Sequence, residues 1–591
     1  MGLVTTRYHR IPLIATATFA STISGKVPFG TRRPLCFHTD TNHSSLLHSR
    51  TKIPKFGKKE KETYDTLQTL IRRLKQPPPL RAPTETGDVS LKTSVSPPFV
   101  EKKRLAELAN SFVRGYGDLP PLRLPPRLEN DLSISSHPCG RFQTLMFLAS
   151  QCGPSMDSVE SSFLKNERIH EHIEQLKNDD KMRKNSVEAL SQLRKALTPS
   201  YEELFSFILR QNAIDGMEFL VALREDLIQI KRYLKDSCFS INGISGRFSQ
   251  LQDLDGYLQS VFATWFAPGM LELRRITYEK TSASIIEFIS VKEAVHPMKS
   301  LEDLRSRLGP KRRVFALFHP LLPERPLVFV HIALIGSGEG EEHDISTLIP
   351  SSIKDVMDLE TLNENSQMSA CNLTPKVATF YSISNGVKGL AGVGLGEFLL
   401  KQAIQSLKKE LPSLEIFVTL SPIPGFRKWL QVKLEQHKDV TLLSPRERQR
   451  LMECGLVSTV EKETFPWVEL WENLEKENFS VLSKDSKDKK WNEDEKAAVL
   501  RDVISKLACR YLAQEKHRGK PLDGVCKFHV GNGAQLHDVH FAADLSRVGM
   551  NNSFGMMCNY LYDLDQLEGN CANFETNYTV PISASIQQRL V

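Results

Sequence analysis

The sequence predicts an α+β protein in which a helical N-terminal region is followed by an α/β domain. Between residues 100 and 290, apolar side chains recur at spacings of three and four, which is the period of a helix with one buried face. After residue 290 the pattern changes to short apolar runs bounded by Gly and Pro, which is typical of buried strands. Between 377 and 420 a strand, a glycine-rich turn, a helix and a second strand follow in order, as in a β-α-β unit.

The helical region is clearest after Asp215, which is a candidate N-cap because Glu218 follows three residues later. One face of the predicted helix then carries a stripe of apolar residues: Leu220, Leu223, Leu227, Ile230 and Leu234. Such stripes usually form a core rather than a binding site. We therefore predict a helical domain over 100–290 with packing and oligomerisation roles, and a short additional helix at 60–75.

Residues 1–59 have the composition of a targeting segment, with ten Lys or Arg, many Ser and Thr, and Asp40 as the single acid. This predicts a mitochondrial transit peptide; a secretory signal, a myristoylation site and a merely disordered tail are the alternatives. A Pro-rich linker is predicted over 60–99. The chain ends QQRLV and not S-K-L. We expect a location in the mitochondrial matrix, with peroxisome or cytoplasm as secondary sites.

Composition argues against several classes of partner. The net charge of +7 comes largely from the first 59 residues, so the remainder lacks the basic footprint of a nucleic-acid-binding protein. The longest apolar runs are too short to span a bilayer, so no membrane association is expected. Ten cysteines without a C-x-x-C pair suggest neither a disulfide scaffold nor a zinc module.

Ser421 is the first candidate for chemistry. The apolar run 416–420 predicts a buried strand that ends at this serine, and Pro422 and Pro424 follow. Because proline cannot donate to a strand ladder, we predict that pairing ends here and that a rigid turn fixes the direction of the hydroxyl. An ordinary strand end is the alternative.

A glycine-rich turn and a histidine are the other candidates. In KGLAGVGLGEFLLK four glycines, beginning with Gly389, precede a helix, so backbone N–H groups could approach a phosphate; a purely structural turn fits equally well.

VCKFHVGNGAQLHDVHF predicts two strands joined at 531–533. His529 would be a general acid or a core histidine on the first strand. His537 and His540 would point to opposite faces of the second, so we predict no metal.

Several long stretches resemble the malonyl-CoA decarboxylase family, in particular a eukaryotic mitochondrial member such as one from a plant: GYLQSVFATWFAPGMLELRRITYE, EAVHPMKSLEDLRSRLGP, LSPIPGFRKWL, EKHRGKPLDGVCKFHVGNGA and NYLY. They keep the same order over about residues 100–565. The resemblance implies a GNAT-type α/β acyl-CoA-binding catalytic domain over 291–591 and a homotetramer. It also implies decarboxylation of malonyl-CoA to acetyl-CoA and CO2, which would regulate malonyl-CoA levels and fatty-acid metabolism. A GNAT-type acyltransferase and a CoA-sensing scaffold are the alternatives.

The resemblance also implies roles for individual residues. Ser421 and His529 match the family's catalytic serine and histidine, and Tyr562 in NYLY matches an active-site tyrosine. His529 is expected to donate the proton, and Ser421 to bind the malonyl carboxylate or accept a proton. The substrate's thioester carbonyl takes up the electron pair, so no cofactor is expected. The segment expected to hold the CoA pyrophosphate is Ala391, Gly392, Val393, Gly394, Leu395, Gly396 and Glu397. Superfamily loops usually begin with Gln or Arg where this chain has Gly389.

Overall fold

A computed structural model describes residues 58–74, 98–122, 124, 140–154, 187–236 apart from five residues between 189 and 196, 244–338, 344–359, 373–435, 442–458, 465–483 and 495–590. Of the predicted transit peptide, residues 1–57 lie outside the described residues, as do residues 75–97 of the predicted Pro-rich linker. Within Lys55–Val591 the described elements belong to one compact unit. No helix in the described part of the chain is both long and apolar enough to cross a membrane.

The first described elements are helices, as the sequence predicts. They are α1 (Lys58–Leu74), α2 (Pro98–Asp118), α3 (Gly140–Gln151), α4 (Ser200–Gln211), α5 (Ala213–Asp236) and α6 (Ile244–Trp265). The predicted stripe on α5 is buried, with Leu220, Leu223 and Leu227 fully inaccessible. The predicted N-cap is wrong by one turn: the side chain of Asn212 accepts hydrogen bonds from the amides of Ile214 and Asp215, so Asp215 lies in the first turn.

The remaining chain builds a sheet with helices around it. The strands are β1 (Glu272–Ile276), β2 (Arg312–Phe318), β3 (Val328–Gly338), β4 (Leu373–Asn385), β5 (Ile416–Thr419), β6 (Ser421–Pro422), β7 (Lys516–His517), β8 (Lys520–Pro521), β9 (Gln535–His540) and β10 (Met557–Leu561). The helices are α7 (Ala283–Lys292), α8 (Leu301–Arg307), α9 (Ile353–Met357), α10 (Leu395–Glu410), α11 (Phe426–Glu435), α12 (Pro445–Glu453), α13 (Trp467–Ser483), α14 (Glu495–Ala513), α15 (Gly524–Gly531), α16 (Arg547–Ser553), α17 (Leu567–Asn577) and α18 (Ala584–Leu590).

The main sheet has the order β1-β2-β3-β4-β5-β10-β6, with β9 also paired to β10. Among the described strands only β4 and β5 pair in parallel, and α10 connects them. This confirms the predicted β-α-β unit, since a parallel pair requires a crossover. β1 is a correction: it lies in the segment predicted to be helical, yet it pairs antiparallel with β2 along its whole length.

The segment carrying His529 is a second correction. The sequence predicted a strand, but residues 524–531 form α15, because the side chain of Asp523 caps the amides of Val525 and Cys526. The glycines interpreted as a hairpin turn instead end this helix, and Gly533 adopts a φ of +86° that favours glycine. The following strand, β9, was predicted correctly.

The end of the Ser421 strand is a third correction. The pairing does not end at Ser421: Ser421 and Pro422 form β6, opposite Cys558 and Met557 of β10, and the ladder stops after Pro422. β6 is the last strand in the sheet order, and an edge strand tolerates a residue without an N–H. β5 pairs with β10 in the same register, with Val418 opposite Leu561, so β5 and β6 follow β10 as one interrupted strand.

The helical region contacts the sheet region directly at Gly389. A Cβ at this position would lie 2.1 Å from the carbonyl oxygen of Val221 on α5, so only glycine permits the approach.

We expect Gly389→Ala to destabilise the protein by about 1–3 kcal/mol, because the new methyl group must push a packed backbone away. The measurement is urea unfolding of the full chain. Gly256→Ala is the matched control: Gly256 lies inside α6, and a Cβ there would meet nothing within 4 Å beyond its own helix, so alanine should be neutral or stabilising. Equal unfolding midpoints for the two variants would contradict the close contact.

Candidate active site

A cavity of about 440 Å³ opens where β4 separates from its neighbour. The parallel ladder ends at the pair Phe380 and Thr419, followed by one further bond from the Leu420 amide to the Phe380 carbonyl. Beyond that point β4 continues beside β3, while β6 stays with β10. The diverging strands form the cavity walls, and the lining includes residues 380–383 on one side and 420–422 on the other.

Ser421 lies in this wall and is buried. Its hydroxyl donates to Oγ1 of Thr419 at 2.9 Å, and its Oγ lies 3.3 Å from Nε2 of His529. Thr419 Oγ1 in turn accepts the amide N–H of Tyr560 at 3.1 Å. Thr419 therefore fixes the Ser421 hydroxyl, and the sequence analysis missed it because its contacts become visible only once β10 lies beside β5.

His529 projects from α15 into the same cavity and is 3% exposed. Its ring stacks on Tyr560 with 4.7 Å between centroids and 21° between planes. Burial lowers the pKa of His529 from 6.5 to about 3. The imidazole is therefore neutral at physiological pH, with one protonated ring nitrogen.

Tyr562 completes a chain of hydrogen-bonding groups. Its hydroxyl lies 2.8 Å from Nδ1 of His529, and burial raises its pKa, so the phenol keeps its proton. A phenol that donates to Nδ1 leaves the hydrogen of the neutral ring on Nε2, which faces Ser421. The structure thus brings together the three residues Ser421, His529 and Tyr562, which lie far apart in sequence.

The glycine-rich turn forms another part of the cavity, and all residues from Gly392 to Glu397 line it. Gly392 and Gly394 have φ values of +78° and +86°, and Gly394 is the N-cap of α10. The first amides of a helix lack intrahelical partners and carry positive partial charge. Ala391 precedes this set without lining the cavity. The geometry suits a phosphate group.

Charge is sparse in this cavity. Among the described residues that line it, Glu397 is the only Asp, Glu, Lys or Arg, and it pairs with Lys401 at 2.9 Å.

Beneath β4, the fully buried Glu293 accepts a hydrogen bond from the cavity residue Ser382 and lies 3.3 Å from His331. Burial alone would raise the pKa of Glu293, but these hydrogen-bonding groups lower it to about 2. The EAVHP stretch contains Glu293, although the sequence analysis assigned it no role.

No group of three His, Cys, Asp or Glu in the described part of the chain is placed to hold a metal. His529 lies on α15, whereas His537 and His540 lie on β9.

A mixed α/β fold in which a helix N-terminus and a buried serine–histidine–tyrosine chain share one cavity is typical of enzymes that act on phosphate-bearing substrates. Residues 164–266 match the malonyl-CoA decarboxylase N-terminal domain, and residues 269–591 match the malonyl-CoA decarboxylase C-terminal domain. The chain belongs to the malonyl-CoA decarboxylase family.

Individual relatives agree with this assignment. Malonyl-CoA decarboxylase, mitochondrial, of Anser anser anser is 35% identical over 393 residues, which cover 66% of this chain and 69% of that protein. The Rattus norvegicus protein of the same name is 34% identical, and the match covers 68% of this chain and 73% of that protein. The crystal structure of malonyl-CoA decarboxylase from Rhodopseudomonas palustris is 28% identical with a TM-score of 0.60, covering 90% of this chain and 99% of that one. The Agrobacterium vitis structure is 29% identical with a TM-score of 0.57, covering 82% and 95%.

We expect the buried neutral state of His529 to make stability depend on pH. Between about pH 6 and pH 4, the unfolded chain binds a proton at this residue that the folded protein excludes. The free energy of unfolding should therefore fall by about 1.4 kcal/mol for each pH unit of acidification from this group alone. His529→Asn removes the group, so denaturant unfolding across this range should give a slope shallower by that amount. Identical slopes for wild type and variant would contradict the neutral buried histidine.

Proposed function

We propose that this chain decarboxylates malonyl-CoA to acetyl-CoA and CO2, with His529 and Ser421 acting on the malonyl group. The observation that carries the proposal is the Ser421–His529–Tyr562 chain in the same cavity as the glycine-rich N-terminus of α10. The family membership and the relatives' printed names support the same reaction. They do not favour the alternative of a GNAT-type acyltransferase.

Substrate binding uses the backbone of the turn. Amides of the turn and of the first turn of α10, between Gly392 and Glu397, bind the CoA pyrophosphate, apart from that of Val393, which donates to the carbonyl oxygen of Leu390. The pantetheine arm follows the cavity between β4 and β6 toward Ser421. Remote binding of this kind supplies the energy that orients the malonyl group.

The first chemical step is loss of CO2. The bond between the α-carbon and the carboxylate breaks, and its electron pair moves into the thioester to give an enolate. Because no Lys or Arg is among the described residues that line the cavity, the carboxylate is not held by a cationic partner that would oppose its loss. The Ser421 hydroxyl, released from Thr419, binds the malonyl carboxylate and sets its direction.

The second step delivers a proton to the α-carbon. His529 donates its Nε2 proton to the enolate, and the phenol of Tyr562 supplies its proton to Nδ1. After acetyl-CoA leaves, solvent returns a proton to Nε2 of His529 and the Nδ1 proton returns to the oxygen of Tyr562, which restores the neutral imidazole with its hydrogen on Nε2. The overall reaction consumes one proton and needs no redox partner, because the substrate itself accepts the electron pair.

We expect His529→Gln and Ser421→Ala each to lower kcat on the order of a hundredfold, as is typical for acid–base and oxyanion-site groups. The measurement is release of labelled CO2 from [carboxyl-14C]malonyl-CoA, with CoA binding followed by calorimetry. CoA binding without CO2 release by the wild type would overturn the decarboxylase. CO2 release that survives His529→Gln would overturn the choice of proton donor.

We expect Tyr562→Phe to lower kcat by about tenfold to a hundredfold with little change in KM, since it removes the proton supply to Nδ1. Tyr560→Phe is the matched comparison, because Tyr560 contacts the same imidazole by stacking and not through Nδ1. The Tyr560 variant should lose far less activity. Equal losses in the two variants would argue against a relay through Tyr562.

We also propose that the protein acts in the mitochondrial matrix as a homotetramer. The relatives named mitochondrial support the organelle, and the composition of residues 1–59 agrees with it. Exposed apolar side chains on the helical region, such as Leu197, Ile214 and Trp265, support its use in assembly. Sedimentation of the chain lacking the first 59 residues should give four times the monomer mass. A monomer at micromolar concentration would contradict the tetramer.

A further inference from the structure

Arg224 on α5 is a buried cation, 3% exposed. It bonds to the glycine-rich turn on the side that faces α5 and not the cavity. Its Nη1 donates to the carbonyl oxygen of Gly389 at 2.6 Å and to that of Ala391 at 2.9 Å. Its Nε donates to Asp255 on α6 at 2.7 Å, and Asp255 also pairs with Lys231 at 2.5 Å. The guanidinium is thus fixed by a carboxylate of the helical region while it bonds to the turn.

Two further contacts join the same surfaces. Nε2 of Gln259, on α6, donates to the carbonyl oxygen of Gly392 at 2.5 Å. The carbonyl of Val221 occupies the space that a side chain at Gly389 would need. Side chains of the helical region therefore bond to three carbonyls of the turn, at Gly389, Ala391 and Gly392.

These contacts determine where an amide of the turn points. In a planar trans peptide the C=O and the N–H point in opposite directions. Because the Ala391 carbonyl points toward Arg224, the Gly392 N–H points away from the helical region, and Gly392 lines the cavity. A cation on the carbonyl also polarises the peptide group, which makes the N–H a better donor to an anion.

We propose that Arg224 is a positioning residue for the pyrophosphate of CoA, and that the helical region serves substrate binding by holding the turn in its anion-binding conformation. This inference rests on the proposed function, because it takes the turn as the pyrophosphate site. Arg224 acts through the backbone: its Nε is engaged by Asp255, and its Nη1 by the two carbonyls on the side of the turn that faces α5.

The test compares malonyl-CoA with malonyl-pantetheine, which lacks the pyrophosphate together with the adenosine 3′-phosphate beyond it. Malonyl-CoA contains the pyrophosphate, whereas malonyl-pantetheine has the same thioester and carboxylate without it. Arg224→Gln should raise KM for malonyl-CoA on the order of tenfold or more, since charge-assisted bonds are lost, with a much smaller change in kcat. The kcat/KM for malonyl-pantetheine should be the same in variant and wild type. Gln259→Ala, at a partly exposed position, should show the same pattern with a smaller increase.

Arg141→Gln is the matched control. Arg141 also lies in the helical region, pairs with Asp226 at 3.0 Å and donates to the carbonyl of Leu119, but it makes no contact with the turn. Its loss should leave KM for malonyl-CoA unchanged. Equal losses with both substrates in Arg224→Gln and Gln259→Ala would overturn the inference, because they would indicate a general structural role. Unchanged kinetics in both variants would overturn it as well.

Calorimetric titration with CoA separates this inference from the proposed reaction. If the wild type binds CoA but releases no CO2, the decarboxylase fails, and the dissociation constant for CoA still tests Arg224. Weaker CoA binding in Arg224→Gln but not in Arg141→Gln would support the positioning role. Equal dissociation constants in all three proteins would overturn it, whatever the reaction.

Discussion

The site depends on a difference between two strand pairings. β10 keeps one antiparallel register against β5 and β6, whereas β4 stops pairing with β5 after Phe380. Ser421 is therefore held by backbone hydrogen bonds on one side and faces an open cavity on the other. β10 also carries Tyr560, which stacks on the His529 ring, and Tyr562 directly after β10 contacts Nδ1 of the same ring. A site built on paired strands is more rigid than one built on loops, because the hydrogen-bonded backbone fixes the position of each side chain attached to it.

Burial and hydrogen bonding act together around the imidazole. An unpaired buried polar group costs free energy, so Ser421, His529 and Tyr562 form a chain in which each side chain has a partner. The apolar surroundings that keep His529 neutral also strengthen every hydrogen bond in that chain. A proton can then move along a chain of groups that are neutral in the resting site.

The sequence predicted the parts of the fold that are set locally. The leucine stripe of α5, the strand–turn–helix–strand unit and the apolar strands each have a period or a turn signal within a few residues. His529 was assigned to a strand because V-C-K-F-H-V is apolar and a glycine pair follows. The decisive signal, capping by Asp523, lies just outside that run. Arg224 and Gln259 could not be found from local patterns, because their partners are remote in sequence: Arg224 and Gly389 are 165 residues apart. Thr419 is close to Ser421 in sequence, but its second partner, the amide of Tyr560, is 141 residues away. Ser421, His529 and Tyr562 were brought together only through the family resemblance, since no spacing connects them.

Under the proposed function, the contacts of Arg224 and Gln259 with the turn account for how a cavity with few charged side chains would bind a highly charged carrier. Lysines or arginines lining the cavity would attract the pyrophosphate, but they would also stabilise the malonyl carboxylate and so oppose its loss as CO2. Arg224 lies behind the backbone, with Asp255 beside it, so its field reaches the ligand through oriented peptide dipoles that weaken within a few ångströms. The pyrophosphate can lie within that range, whereas the acyl group at Ser421 is on the diverging strands. One cavity can thus attract the pyrophosphate and still leave the malonyl carboxylate weakly solvated. The positive partial charge comes from backbone amides at the N-terminus of α10 and not from side chains along the cavity wall.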